Sequence, residues 1–145
     1  MGIWFKSFSV EELNSYQQHT MVTHLGIRYT EVGEDYLKAV MPVDERTKQP
    51  AGILHGGASV ALAETLGSTG ANLVVDRSKK LCVGLEINAN HIRAMRDGEV
   101  TGTARPLHIG GSTQVWEIRI TDRDEKQVCV SRITMAVLDR AAFRR

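Results

Sequence analysis

The chain has 145 residues, 42% of them hydrophobic and 24% charged, with 18 basic against 17 acidic side chains and a formal net charge of +1. That length suits one domain, residues 1–145, with a core of its own, and the composition excludes both a disordered and a membrane-embedded chain. The balanced charge, without a basic stripe or interleaved aromatics, excludes nucleic acid as the expected partner.

The opening Met1-Gly2-Ile3-Trp4-Phe5-Lys6 holds no signal-peptide core, and no apolar run of about 20 residues follows, so a cytoplasmic location without membrane contact is expected. Ser9-Val10-Glu11-Glu12 fits a capping box and predicts a helix from Val10 to about Gln18. Leu25 to Tyr29 and Tyr36 to Met41 flank Gly33-Glu34-Asp35 and read as a hairpin, closed by Pro42 and followed by a loop from Val43 to Pro50. From Gly57 to Val75 no proline interrupts a run that can form one helix of about five turns. That helix is apolar or tiny almost all round, so protein should cover most of it. Each glycine in it costs about 1 kcal/mol relative to alanine, a cost that close approach of a sheet would justify.

Four strand-like runs follow, Cys82 to Arg93, Glu99 to His108, Thr113 to Thr121 and Gln127 to Leu138, separated by short turns that predict an antiparallel meander. In the third, Gln114, Trp116, Ile118 and Ile120 define the inward face. Helix, hairpin, long buried helix and four strands together describe an α+β hotdog architecture, a curved antiparallel sheet around a central helix. Its edge strands call for pairing with a second subunit, so a homo-oligomer is expected, a dimer or a dimer of dimers. Cys82 and Cys129, far apart and among apolar neighbours, suit reduced core thiols. The run from Arg140 to Arg145 reads as a solvated tail.

Chemistry concentrates on one carboxylate. In the 27 residues between Lys48 and Asp76 the only charged side chain is Glu64. It must be buried neutral, paired or employed, and no cation stands at helical spacing from it. Gly56-Gly57 at the helix start leaves backbone N–H groups and the positive end of the helix dipole open to a carbonyl oxygen gaining negative charge. Glu64, Ser68 and Asn72 recur every four residues as one polar line. Three positions carry two readings each. His55 either caps the helix or serves the site; Ser68 either holds a water or bonds back to the Glu64 carbonyl; Gly110-Gly111-Ser112 is either an ordinary hairpin turn or a source of N–H groups for phosphate. The five histidines are scattered and no set of His, Cys and carboxylate has ligand spacing, so neither a metal nor any other cofactor is expected.

Met41-Pro42-Val43-Asp44, Thr47-Lys48-Gln49-Pro50, Leu54-His55-Gly56-Gly57-Ala58-Ser59 and Leu62-Ala63-Glu64 closely resemble the hotdog acyl-CoA thioesterases of the phenylacetate and 4-hydroxybenzoyl-CoA type. Within that group the chain is most similar to bacterial 1,4-dihydroxy-2-naphthoyl-CoA hydrolases of quinone synthesis; Val83 to His91, Pro106 to Gly110 and Gln114-Val115-Trp116 extend the match over nearly the whole chain. The resemblance implies that Glu64 attacks the thioester carbonyl or activates a water, that the Gly56 amide stabilises the oxyanion, and that Gln49 orients the thioester or water. It implies supporting roles for His55 and Ser68, and CoA contacts from Gly84, from His91-Ile92-Arg93-Ala94 and from His108-Ile109-Gly110-Gly111-Ser112-Thr113. The site would combine Gln49 and His55 of one chain with Glu64 of another. CoA is then part of the substrate rather than a cofactor. The resemblance also leaves room for a broad-specificity or carrier-protein proofreading thioesterase. A dehydratase lacks its His-Phe-Pro-Gly type loop here, and a non-catalytic acyl-CoA-binding protein would not need Glu64.

Overall fold

The computed structural model describes residues 2–143. In chain order its elements are α1 (Val10–Ser15), α2 (Met21–His24), β1 (Arg28–Val32), β2 (Leu37–Pro42), α3 (Gly56–Leu73), β3 (Lys80–His91), β4 (Glu99–Ile109), β5 (Thr113–Thr121) and β6 (Gln127–Asp139), with a final 3-10 turn over Arg140–Phe143. The strands form one six-stranded antiparallel sheet in the order β1-β2-β4-β5-β6-β3, and α3 packs against five of the six. This is the hotdog architecture.

The predicted cap holds, since the Ser9 hydroxyl accepts from the Glu12 N–H. The first helix is nevertheless shorter than its sequence suggests. The hydroxyls of Thr20 and Thr23 both donate to the Gln17 carbonyl, and Thr20 caps a second short helix, α2, that the sequence reading ran together with the loop before the first strand. Asn14 then ties α1 to β1, donating to the Tyr29 carbonyl and accepting from the Tyr29 N–H.

The predicted four-strand meander is corrected at its first strand. β4, β5 and β6 pair in sequence, but β3 pairs with β6 at the far edge, and β4 lies between β2 and β5. The strand expected to run to Arg93 ends at His91, and residues 92–98, of which Arg96-Asp97-Gly98 read as a turn, cross the end of the sheet. Their backbone is spent on other loops: Ile92 N–H donates to Val128 O, Met95 O accepts from Leu54, and Gly98 O accepts from Val43. The C-terminal tail is also corrected in part, because the Arg140 guanidinium donates to the Arg77 carbonyl and its N–H to Lys79 O. Arg144 and Arg145 lie outside the described residues.

The small residues of α3 are explained by distance. A Cβ at Gly70 would approach the Trp116 ring to 2.8 Å, and one at Gly67 would approach Ile133 Cγ2 to 2.5 Å. Trp116, Ile118, Ile120 and Ile133 are completely buried, and Trp116 stacks on Trp4 with centroids 6.3 Å apart. Gln114, buried on the same face, accepts from Trp116 Nε1 and donates to the Ala71 carbonyl, so this polar residue inside the core is satisfied. Cys82 and Cys129 are free and buried, as expected.

Gly67→Ala tests how closely helix and sheet approach. The gain in helix propensity is about 1 kcal/mol, while overpacking against a buried branched side chain costs about 1–3 kcal/mol. The denaturant midpoint should therefore fall rather than rise. A rise would mean that α3 stands further from β6 than these contacts require.

Candidate active site

Helix α3 begins where the chain rises from the loop carrying Gln49, and the cap that starts it is His55. Its Nδ1 accepts from the Gly57 N–H at 2.8 Å, and its carbonyl accepts from Ala58 and Ser59. Of the two readings of His55, the cap is therefore present. Between those satisfied amides the Gly56 N–H has no acceptor among the described residues, an N–H of the kind a helix start leaves open to an anion or oxyanion. A Cβ at Gly56 would meet His91 Nε2 at 2.7 Å, so the imidazole lies directly over this backbone and would have to turn aside for any larger residue.

A cavity of about 330 Å³ opens beside this amide, and Gln49, Gly56, His91, Ile92, Arg93 and Ala94 all line it. The structure thus brings together six candidates from two distant stretches, Gln49 and Gly56 from one and the four from His91 to Ala94 from the other. Gln49 is held by its own loop, its Oε1 accepting from the Ala51 N–H at 2.6 Å. Ser59, buried on the first turn of α3, also lines the cavity. Sequence reasoning passed it over, since a lone serine among alanines carries no signal of its own.

Glu64 lies two turns further along and elsewhere in space. Eight residues of helix separate it from Gly56, a rise of roughly 12 Å. Its side chain reaches toward β3, where a Cβ at Gly84 would come within 2.8 Å of Glu64 Oε1. Among the described residues it makes no hydrogen bond or ion pair, and partial burial raises its carboxyl above the ordinary value because the anion loses hydration. A second, smaller cavity adjoins it, formed mainly by aliphatic side chains of α2 and by Ile27.

The remaining members of the polar line have contacts of their own. Ser68 does not bond back to Glu64; its hydroxyl faces Met135 Sδ at 3.8 Å. Asn72 clamps α3 to β3, donating to Cys82 O and accepting from Cys82 N–H.

Gly84 and the stretch His108 to Thr113 are not brought to the Gln49 cavity within one chain. The turn is an ordinary hairpin closed by Gly110 N–H to Thr113 O, with Val137 N–H donating to Ser112 O. By register Thr113 stands opposite Ala136 and Gly84 opposite Met135, whereas His91 stands opposite Cys129 at the other end of β6. At about 3.3 Å per residue, seven residues of strand put these two groups roughly 23 Å apart. Among the described residues no group of three or more His, Cys, Asp or Glu side chains is placed to hold a metal, and no helix is long and apolar enough to cross a membrane.

A sheet curled around one helix, with an open amide at the helix start and a lone carboxylate two turns on, defines a hotdog thioester hydrolase. Comparison with known proteins agrees: the model of the thioesterase superfamily matches residues 51–129. The 1,4-dihydroxy-2-naphthoyl-CoA hydrolase of Escherichia coli is 50% identical over 94% of this chain and 99% of its own length. A proofreading thioesterase of Cronobacter sakazakii is 51% identical over 94% of this chain and 98% of its own. Among solved structures, a mutant thioesterase of Pseudomonas aeruginosa superposes with a TM-score of 0.94 at 48% identity, covering 95% of this chain and 99% of that one. The chain belongs to the thioesterase superfamily and is an acyl-CoA thioesterase.

The raised Glu64 carboxyl makes stability depend on pH. Burial favours its neutral form in the folded protein, so its contribution is fully present below the ordinary carboxylate value and is lost as pH rises through the raised one. Glu64→Gln, neutral throughout, should melt above wild type at neutral pH, and the gain should vanish below about pH 4. A gain independent of pH would exclude the charge as its cause.

Proposed function

We propose that the protein hydrolyses an aromatic acyl-CoA, 1,4-dihydroxy-2-naphthoyl-CoA in the first instance, releasing the free acid and CoA within cytoplasmic quinone synthesis. The observation that carries this reading is Glu64, a part-buried carboxylate with no partner, held against the bare backbone of Gly84. A group kept costly in this way is poised to act as nucleophile or as general base on a water. The substrate follows from the half-identical relative of that name.

In this reading Gly56 N–H receives the developing oxyanion, Gln49 orients the carbonyl or the water, and Ser68 borders the attacking group. His55 acts through the cap, fixing the turn that leaves Gly56 free. Arg93, with His91, Ile92 and Ala94, meets the phosphates of CoA. No metal takes part, and EDTA should leave turnover unchanged; loss of activity restored by a divalent ion would overturn that.

One carbonyl must lie about 3 Å from both the oxyanion donor and the attacking group. Gly56 and Glu64 of one rigid helix stand roughly 12 Å apart along its axis, so a single chain cannot offer both. β3 is a twelve-residue edge strand with Leu85 62% exposed, a surface suited to pairing with a second copy. Two-fold antiparallel pairing there sets the Gly84 end of one β3 beside the His91 end of the other. It brings the His108 to Thr113 turn of one chain toward the Gln49 cavity of its partner, in a dimer or a dimer of dimers.

Glu64→Ala should lower turnover at least about a hundredfold, as loss of a positioned base does. Mixing inactive Gln49→Ala and Glu64→Ala chains should restore part of the activity, since some mixed dimers carry one intact site. No recovery in dimers shown by mass spectrometry to be mixed would place each site within one chain.

A second reading is a proofreading thioesterase acting on wrongly loaded carrier-protein thioesters. The half-identical Cronobacter sakazakii relative favours it. A faster turnover of aryl-carrier-protein than of the matching aryl-CoA would select it.

A further inference from the structure

Helix α3 has two faces with different neighbours. Ala63, Gly67, Gly70 and Ala71 are buried, and the glycines meet the sheet directly. The row Ala61, Glu64, Thr65, Ser68, Thr69 and Asn72 turns the other way, toward the segment that carries α1 and α2. Tyr29, at the end of that segment, holds Thr69 through its hydroxyl at 2.7 Å. Between this row and α2 lies the cavity beside Glu64, about 150 Å³ in volume, with Met21, Val22, Leu25 and Ile27 on one side and Ala61 and Glu64 on the other.

We infer that this cavity receives the acyl group of the thioester and that α2 decides which acyl groups fit. The inference rests on the reading of Glu64 as the group that acts on the thioester. A carbonyl attacked at Glu64 must carry its acyl substituent into whatever adjoins that carboxylate, and the cavity that adjoins it is walled by four large aliphatic side chains. The Gln49 cavity is larger, more open to charged neighbours such as Arg93, and is the fitting place for CoA. A cavity of roughly 150 Å³ is large enough to bind benzene, so it seats one ring. A second fused ring must displace part of the wall. Met21, 64% exposed at the outer rim and flexible through its thioether, is the side chain able to move. Val22 and Leu25, packed against the core, form the fixed part.

The test compares kcat/KM for acetyl-CoA, benzoyl-CoA and 1-hydroxy-2-naphthoyl-CoA in wild type, Val22→Phe and Met21→Ala. A substituent-sized change in an apolar pocket is worth about 10–200-fold in discrimination. Val22→Phe, which fills the cavity, should lower kcat/KM for benzoyl-CoA at least about tenfold relative to acetyl-CoA. Met21→Ala, which opens the rim, should raise the naphthoyl-to-benzoyl ratio. If Val22→Phe does not fold, the exposed Met21→Ala decides alone. Ratios that stay at their wild-type values, or fall equally for all three substrates, overturn the pocket. Should wild type prefer straight chains, hexanoyl-CoA replaces the aryl substrates and the same ratios decide, with the aromatic reading alone lost. Full turnover by Glu64→Ala would remove the site reading and this proposal together, whereas inactive Glu64→Ala with unmoved ratios removes only the pocket.

Discussion

The close approach of α3 to the inner face of the sheet is the constraint on which everything else depends. Gly67 and Gly70 leave room for Ile133 and Trp116, and Gly102 on β4 does the same for Leu62 and Leu66 from the other side. With a glycine on helix or sheet at each close contact, the helix sinks into the curve of the sheet and its two ends become fixed points. One end presents the Gly56 amide, the other side two turns later presents Glu64. Glycine lowers helix propensity, so these positions are stable as helix only because the sheet buries them. The places of both groups are thus a consequence of core packing.

The β3 edge is adapted to the same helix by one irregularity. Between Gly84 and Glu86 the register to β6 slips, leaving Leu85 as the extra residue of a β-bulge. Before it Cys82 is buried and Gly84 faces Glu64; after it Ile87 and Ala89 pack on the core and His91 covers Gly56. The inward side of the strand passes from even to odd positions. Without the bulge Glu86, Asn88 and Asn90 would point at the helix, burying polar groups without partners. The bulge therefore lets one strand wall both the Glu64 carboxylate and the Gly56 amide.

Much of this was legible in residue patterns, for identifiable reasons. The central helix showed itself through length and missing charge, and β5 through strict alternation, which is why its bounds agree with the sequence reading to the residue. Glu64 stood out because an isolated carboxylate among apolar residues is costly. The pairing of β3 with β6 was hidden, since a short loop after a strand looks the same whether the next strand lies alongside or across the sheet. α2 was hidden as well: four residues are too few to show a period, and the Thr20 cap is visible only once its hydrogen bonds are seen. The parity change across Leu85 is present in the sequence as Cys82 and Gly84 against Ile87 and Ala89, but it becomes a signal only when the partner face is known.

In the proposed reaction the two halves of the chain divide the labour between them. Residues 49–64 and 84–94, held by α3 and β3, carry the groups to which the proposed reaction gives its chemistry: the Gly56 N–H as oxyanion donor, the Gln49 amide and the Glu64 carboxylate. The segment from α1 to β1 contributes none of these. It joins the sheet at its end, where β1 pairs with β2 on the outer edge, and Tyr29 ties it to Thr69 of α3, while its α2 turn is short and partly exposed. Substitutions there alter the volume beside Glu64 without touching the packing that fixes the reactive groups. On the proposed reading such a fold separates the residues that set the chemistry from those that set the acyl group, and relatives half identical along their length bear names as different as naphthoyl-CoA hydrolase and proofreading thioesterase.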